Sequence, residues 1–260
     1  MIPKYRTQFN GEFSQEKYQK VNELIKEKTG YEAGFRISES PIFLSNELWQ
    51  KLDDASQSII SQIKEMSVEE LSKAIPANCN VPNDTKKPHF VAIDFGICQD
   101  EKGNVIPQLI ELQAFPSLFG FQKLFEEVIT EVYPFLNELK NSLPKDEYIQ
   151  KLKQVIVGNE NPENVILLEI YPEKQKTAID FVVTEQYLGI KTVCLTKIKK
   201  EGKKLFYEND GKSIQINRIY NRVIFDELDK IEGLETEFDF KEEIDVEWIT
   251  HPNWFFKISK

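Results

Sequence analysis

The chain has 260 residues, of which 40% are hydrophobic and 12% aromatic, so it can bury a sizeable core and is not a disordered segment. Its net charge of −10 at pH 7 and its pI near 5.0 argue against a nucleic-acid-binding surface. The three cysteines, Cys79, Cys98 and Cys194, form no CxxC motif and no Cys/His cluster, which argues against zinc and against a disulfide framework.

Signals of membrane insertion and export are also missing from the sequence. No apolar run approaches the roughly 20 residues that a membrane helix needs. The N-terminal segment lacks the apolar region of a signal peptide. We therefore predict a cytoplasmic protein whose partners include neither nucleic acid nor a membrane.

The first half of the chain predicts helices around one strand hairpin. Apolar residues recur at helical spacing in residues 15–29, which end before Gly30, and again in residues 45–66. The further predicted elements are a short helix from a capping box at Ser67–Glu70 to Ala74, a loop over 76–88, a hairpin within 89–117, and one or two helices over 119–143 with a break at Pro134.

The second half predicts a parallel sheet. Residues 164–171, with the sequence NVILLEIY, are an apolar run typical of a buried strand. A helix over 177–188 and a strand over 190–195 complete a βαβ unit. The remaining predicted elements are strands over 204–208 and 213–219 around the turn Asn209-Asp210-Gly211, and a helix over 225–231.

Together these patterns predict an α/β fold with a helical N-terminal region, an antiparallel hairpin-bearing part and a Rossmann-like βαβ region. No repeat or low-complexity linker marks a domain boundary, so we place a soft boundary where the pattern changes, near residues 147–161. The predicted domains are residues 1–150, with the helices and the hairpin, and residues 151–260, with the α/β region.

The hairpin carries the most informative residues. If Glu101–Asn104 is a four-residue loop, Asp100 pairs with Val105, and the same register places Asp94 directly opposite Glu111. Gln113 then lies on the same face, opposite Ala92. Two facing carboxylates repel each other, so such a pair is tolerated in water, with a shared proton, or around a cation.

Apolar residues flank these acids on both faces, which predicts a covered strand pair in which two acids need a partner. Two carboxylates and an amide oxygen are hard ligands, suited to a Mg²⁺ ion that also holds substrate phosphates. A solvated acidic face is the alternative interpretation. The residues assigned to the acid face are Phe90, Ala92 and Leu109, and those assigned to the other face are Val91, Ile93, Phe95, Ile106, Ile110 and Leu112.

Two features of the second half are candidate ligand contacts. Ligands of open α/β sheets bind beyond the carboxyl ends of the strands, which makes the loop Pro172–Gln175 a candidate pocket lip, with a plain surface turn as the alternative. Arg218 and Arg222 share a face of a predicted strand and could clamp a carboxylate or phosphate. The alternative is that they pair with nearby acids, such as Asp226 and Glu227.

No nucleophilic triad accompanies the two histidines, His89 and His251, and both are interpreted as structural. The aromatic residues near the end are interpreted as core or interface packing rather than as a base-stacking platform. They are Trp248, Trp254, Phe255 and Phe256.

The hairpin resembles the magnesium-binding hairpin of the circularly permuted ATP-grasp ligases, the glutathionylspermidine synthetase-like group. Asp94 matches the Asp of the first strand, Glu111 matches the Glu of the second, and Gln113 takes the place of an Asn. The sequence departs from the family at Ala92, where a phosphate-contacting Arg is frequent, and at residues 114–117, which replace an acidic run that contains Thr.

Three later segments, in the same order, are similar to the pre-ATP-grasp region of that group, so the resemblance spans most of residues 88–228. The segments are Glu169–Gln175, Leu188–Ile190 and Arg218–Val223.

The resemblance implies an ATP-dependent carboxylate–amine ligase, in which ATP phosphorylates a small-molecule carboxylate and an amine attacks the acyl phosphate. It implies that Asp94, Glu111 and Gln113 hold Mg²⁺, and that Gln175 contacts the ATP cofactor. It also implies that Arg218 or Arg222 orients an anionic substrate.

The sequence has no GxxxxGK[ST] or GxGxxG motif to hold phosphates. The chain is therefore interpreted as the N-terminal part of such a ligase, working with a C-terminal ATP-grasp half. A non-catalytic module that binds a small ligand or a protein, derived from the same family, is the leading alternative. A metal-dependent hydrolase using the same acids is a third interpretation.

Overall fold

The computed structural model describes residues 2–139, 142–228 and 230–258, without the side chains of residues 226 and 227. Its elements confirm the predicted α/β fold. The helices are α1 (Pro3–Glu12), α2 (Gln15–Thr29), α3 (Asn46–Glu65), α4 (Val68–Ser72), α5 (Phe119–Val132), α6 (Lys145–Ile156), α7 (Ala178–Leu188), α8 (Phe225–Leu228) and α9 (Asn253–Ile258). The strands are β1 (Ala92–Gln99), β2 (Val105–Gln113), β3 (Val165–Glu169), β4 (Lys191–Cys194), β5 (Lys199–Glu201), β6 (Lys204–Asn209), β7 (Lys212–Ile216), β8 (Arg218–Asn221) and β9 (Glu247–Ile249).

A parallel sheet in the order β4-β3-β8-β9 forms the centre of the second half. The predicted βαβ unit is present as β3, α7 and β4. All residues of β3 and β8 are buried, which explains why NVILLEIY has no alternation of polar and apolar residues. Helices α6 and α7 pack on one face of this sheet, and the antiparallel sheet β5-β6-β7 packs on the other.

The N-terminal helices α1, α2 and α5 share a second core, centred on Phe9, Ile25 and Val128. Two residues of α7, Ile179 and Val183, belong to this core as well. The core therefore includes side chains from both sides of the predicted boundary, and the division into residues 1–150 and 151–260 stays a prediction.

Helix termini follow the signals in the sequence. The side chains of Ser14, Ser45 and Ser67 each accept a hydrogen bond from a backbone N–H of the first turn of α2, α3 and α4. Gly30 and Gly189 end α2 and α7 in the left-handed conformation.

Several segments differ from the prediction, since α1, β5, β9 and α9 were not predicted. Helix α6 spans residues where we placed only a soft boundary, and its inward face is the helical repeat Tyr148, Leu152 and Ile156. The predicted strand over 213–219 is two strands in different sheets, because β7 ends at Ile216 and β8 begins at Arg218.

The buried Arg218 closes the C-terminal end of α6. Its guanidinium donates hydrogen bonds to the carbonyl oxygens of Val157 and Val155, both at 3.0 Å, where unpaired helix carbonyls and the helix dipole favour a cation. Gly158 gives the guanidinium its space: a Cβ at that position would lie 1.7 Å from Nη1 of Arg218, and the backbone φ there is +64°.

None of the helices within the described residues combines the length and the apolar character that a membrane crossing requires.

We expect Gly158→Ala to destabilise the fold much more than Gly202→Ala. Both glycines have nearly the same positive φ, but nothing lies within 4 Å of a Cβ at Gly202. Backbone strain alone should cost about 1–2 kcal/mol at Gly202, while Gly158→Ala should cost about 1–3 kcal/mol more because Arg218 must move. Urea unfolding midpoints of the two variants measure the difference; equal midpoints would contradict the role given to Arg218.

Candidate functional site

The hairpin places the predicted metal ligands together. Asp94 lies opposite Glu111 and Ala92 lies opposite Gln113, as predicted. The turn differs from the prediction, since Val105 pairs with Gln99 and not with Asp100. The Asp100 carboxylate instead accepts hydrogen bonds from the backbone N–H groups of residues 102 and 104, at 2.9 and 2.8 Å.

A β-bulge restores the predicted register beyond the turn. The register shifts between Asp94 and Phe95, and Phe95 pairs with Leu109, which leaves Ile110 as the extra residue. The predicted faces of three residues were therefore wrong. Leu109 lies on the face of Phe95, whereas Ile106, opposite Cys98, and Ile110, next to Gly96, lie on the acid face.

The prediction of a covered hairpin was also wrong. Asp94 and Glu111 are exposed, and so are Leu109 and Ile110, at 52% and 69% of their full accessible surface. Helices α3 and α9 contact β2 but leave much of the strand pair in solvent. Because water screens the two facing charges, the acids do not need a partner for the hairpin to persist.

Gln113 links the amide to the acids. Its Nε2 donates a hydrogen bond of 3.2 Å to Oδ2 of Asp94. For the three side chains to share a cation, the amide must turn so that its oxygen faces the carboxylates. Mg²⁺ keeps several waters and uses few protein carboxylates, so an open pair of acids and an amide fits it in chemistry. Among the described residues, no group of three or more His, Cys, Asp or Glu side chains is arranged to hold a metal ion.

The guanidinium of Arg222 is buried against the segment that leaves the hairpin. It donates a hydrogen bond of 2.7 Å to the carbonyl oxygen of Pro116 and lies 4.9 Å from the ring centre of Phe115. Its Nε has no hydrogen-bond partner. Arg218 is the first residue of β8, Arg222 lies one residue beyond the end of that strand, and both donate to backbone carbonyls. Arg218 also contacts Glu247 at 3.3 Å.

The predicted acidic partners Asp226 and Glu227 have side chains outside the described residues. The catalytic role of the two arginines stays a prediction.

Asp180 was not singled out from the sequence, where its one signal is an acid within the apolar run AIDFVV. Its buried carboxylate accepts hydrogen bonds from the backbone N–H groups of Phe121, at 2.8 Å, and Leu118, at 3.1 Å. It therefore caps α5 from a neighbouring helix, because Leu118 provides no side-chain cap. Burial raises the pKa of Asp180, against the opposing influence of these donors and of Arg222.

The Gln175 side chain forms a hydrogen bond within its own loop. Its Nε2 donates a hydrogen bond of 2.9 Å to the carbonyl oxygen of Ile170, and the side chain is half-buried. Gly34 of the N-terminal region packs against the backbone of Lys176, the residue after Gln175. A Cβ on Gly34 would lie 2.6 Å from the carbonyl oxygen of Lys176. The loop is thus held by the Gln175 hydrogen bond and by the close approach of Gly34. Nucleotide contact by Gln175 stays a prediction.

A largely buried polar cluster of Asp84, His251, Asn253 and Lys257 lies beyond the carboxyl end of β9. It was not predicted from the sequence. Lys257 contacts Asp84 at 2.6 Å, and the Asn253 side chain donates to the same carboxylate at 3.0 Å. His251 is fully buried, with Nε2 3.0 Å from the carbonyl oxygen of Pro82 and Nδ1 accepting from the Asn253 backbone N–H. These contacts fit a neutral imidazole, and burial lowers the pKa of His251.

The aromatic residues near the end pack as predicted. Trp248, Trp254 and Phe256 are buried, and Phe255 makes an edge contact with the ring of Phe115.

No family model matches this sequence, and no curated protein matches it. Among solved structures, the chain is similar to a glutathione synthetase-like effector from Globodera pallida, determined in the apo form, with a TM-score of 0.59. The likeness covers 93% of this chain at 14% sequence identity, and it spans 62% of the length of that chain. Such a likeness shows a fold related to the glutathione synthetase-like one and leaves the activity open.

We expect Arg222→Met to destabilise the protein, because it leaves the Pro116 carbonyl without its donor and removes a positive charge that favours the ionised form of Asp180. The loss should be about 1–3 kcal/mol, as for a buried acceptor left without its donor. Arg36→Met is the matched control, since Arg36 is exposed and forms an exposed ion pair with Glu39; its effect should stay within about 1 kcal/mol. Chemical unfolding compares them, and equal stabilities would mean that the Arg222 guanidinium is free to serve a ligand.

We expect the contribution of the two histidines to the free energy of unfolding to fall as the pH drops from 7.5 to 5.5. Burial lowers the pKa of His89 and of His251 in the folded state, so below the unfolded value of about 6.5 the unfolded chain binds more protons. The stabilisation that comes from the two neutral histidines is therefore complete above that pH, and it is lost as the pH falls toward their folded-state pKa values. His89→Gln should reduce this contribution. Urea unfolding in which the variant and the unmodified chain depend on pH in the same way would contradict a buried neutral His89.

Proposed function

We propose that this chain is the N-terminal part of an ATP-dependent carboxylate–amine ligase of the ATP-grasp type, similar to the glutathionylspermidine synthetases. The observation that supports it best is the hairpin register, which sets Asp94 opposite Glu111 with Gln113 beside them. The related glutathione synthetase-like fold adds support, because it covers 93% of the chain.

In this proposal Asp94, Glu111 and Gln113 hold Mg²⁺ at the open face of the hairpin. A bound Mg²⁺ would neutralise charge on the phosphoryl group that passes from ATP to the carboxylate with release of ADP. The amine would then attack the acyl phosphate, which forms the amide and releases phosphate. The two carboxylates supply the negative charge that the ion requires, and Gln113 supplies a neutral oxygen after its amide turns. Ala92 makes no phosphate contact from this strand, so phosphate binding depends on groups outside it.

The proposal includes a C-terminal ATP-grasp half as partner. Within the described residues β1 and β2 form a sheet of their own, and each strand pairs only with the other. Free strand edges beside exposed apolar side chains favour association with further strands. Leu109 and Ile110 provide such side chains on the same strand as Glu111. The solved glutathione synthetase-like chain is also longer, since this one spans 62% of it.

A non-catalytic binding module is the second candidate. It is favoured by the hydrogen bonds of Arg218 and Arg222, which are directed at backbone carbonyls of α6 and of the hairpin exit. In this interpretation the arginines are structural and the exposed acids are a solvated face.

The test is calorimetric titration of the full chain with ATP, with and without Mg²⁺. We expect binding that requires Mg²⁺ and that the double variant Asp94→Asn/Glu111→Gln weakens by at least about tenfold. Because both acids are exposed, the variant should fold, and without Mg²⁺ it should be more stable by about 0.2–1 kcal/mol through relief of the facing charges.

The matched control is Glu201→Gln/Glu208→Gln, which removes two exposed acids from another antiparallel sheet. It should bind as the unmodified chain does. Equal loss of ATP binding in both double variants would mean that the loss results from the change in net charge and not from a metal site at the hairpin. Absence of binding in every protein, repeated with an added ATP-grasp half, would favour the binding module.

A further inference from the structure

An apolar cavity of about 190 Å³ lies between α3, α4, the segment that leads into β1, and α9. Its walls include Ile60 and Ile63 of α3, Leu71 of α4, Val91 and Trp254. Leu71 and Trp254 are themselves buried and pack with Ala114 at the end of the hairpin. The floor of the cavity is therefore fixed by the core.

The polar atom of the Trp254 ring is satisfied away from the cavity. Its Nε1 donates a hydrogen bond of 2.7 Å to Oγ1 of Thr85, and the ammonium group of Lys257 lies 4.6 Å from the ring centre. The part of the indole that reaches the cavity is thus apolar. A cavity of this kind attracts an apolar group rather than water, and one of roughly 150 Å³ is known to bind benzene.

The mouth is both apolar and basic. Met66 and Val68 line it and are 44% and 45% exposed. Lys64, Lys86 and Lys87 line it too, and no described ion pair involves any of the three. No acid lines the cavity, although the chain carries 43 acidic and 33 basic residues. Free lysines beside an apolar opening favour a ligand with an anionic head group and an apolar tail.

We propose that this cavity binds a medium-chain monocarboxylate, with the alkyl chain inside and the carboxylate at the lysines. The volume fits an apolar group of roughly six to eight carbons. Lys86 and Lys87 hold the carboxylate from the segment before β1, and Lys64 holds it from the end of α3. The site lies on the protein independently of ATP and Mg²⁺, and so goes beyond the proposed ligase function.

The experiment is calorimetric titration of the full chain with butanoate, hexanoate, octanoate and decanoate, without nucleotide or magnesium. Each added methylene should tighten binding about fourfold until the cavity is full, near eight carbons. Octylammonium, which has the same tail and the opposite charge, should bind at least about tenfold more weakly than octanoate. Absence of octanoate binding at millimolar concentration, or equal binding of octylammonium, would overturn the proposal.

Two variants separate head group from tail. Lys86→Glu/Lys87→Glu should weaken octanoate binding by about tenfold, and more so at low salt. Lys102→Glu/Lys212→Glu is the matched control, because both residues are exposed and lie outside the cavity, Lys102 in the turn between β1 and β2 and Lys212 at the start of β7. Val68→Trp, at an exposed position, should block the mouth and abolish binding with little change in thermal stability. Octanoate binding that survives Val68→Trp would falsify the assigned cavity, whatever the outcome of the ATP titration.

Discussion

The segment between the hairpin and α5 is held by two buried charges of opposite sign, and the arrangement of the other elements depends on it. Asp180 accepts the N–H groups at the start of α5, where Leu118 adopts a φ of 71° and provides no cap. Arg222 donates to the carbonyl of Pro116 from the end of β8. Since a buried charge is tolerated only with its partners in place, the chain has one path from the hairpin into α5. That path joins α5, α7 and the central sheet into one packed unit.

The fixed path of this segment also determines which part of the hairpin is exposed. Its last residues enter the core at Ala114, which is fully buried, while Asp94 and Glu111 stay in solvent. Beyond the carboxyl end of β9, where an open α/β sheet can bind ligands, Asp84 and Lys257 form an ion pair. The metal site that we propose therefore lies on the exposed hairpin face and not at the carboxyl end of β9.

Sequence patterns predicted the central elements because each pattern has a local cause. The run NVILLEIY is buried on both faces, and Ser14 and Gly30 bound α2 through backbone hydrogen bonding and a left-handed φ. The pairing of Asp94 with Glu111 was predicted from a regular ladder, yet it results from a longer turn offset by the bulge at Ile110. Bulges, exposure and trans-capping by Asp180 depend on tertiary neighbours, and no local pattern in one sequence reports them.

The exposure of the acids is compatible with both candidate functions, because facing carboxylates in water repel only weakly. The surroundings of the acids distinguish the candidates better. On β2, Leu109 and Ile110 are more than half exposed, and no described strand pairs with the outer edge of β1 or of β2. A finished surface seldom combines free edges with large exposed apolar side chains, since both favour unwanted association. A binding module has to explain the acids and the apolar exposure separately. The proposed ligase half explains the acids and Ile110 together, because Ile110 shares the acid face and a covering ATP-grasp half would bury it while bringing nucleotide phosphates to Asp94 and Glu111.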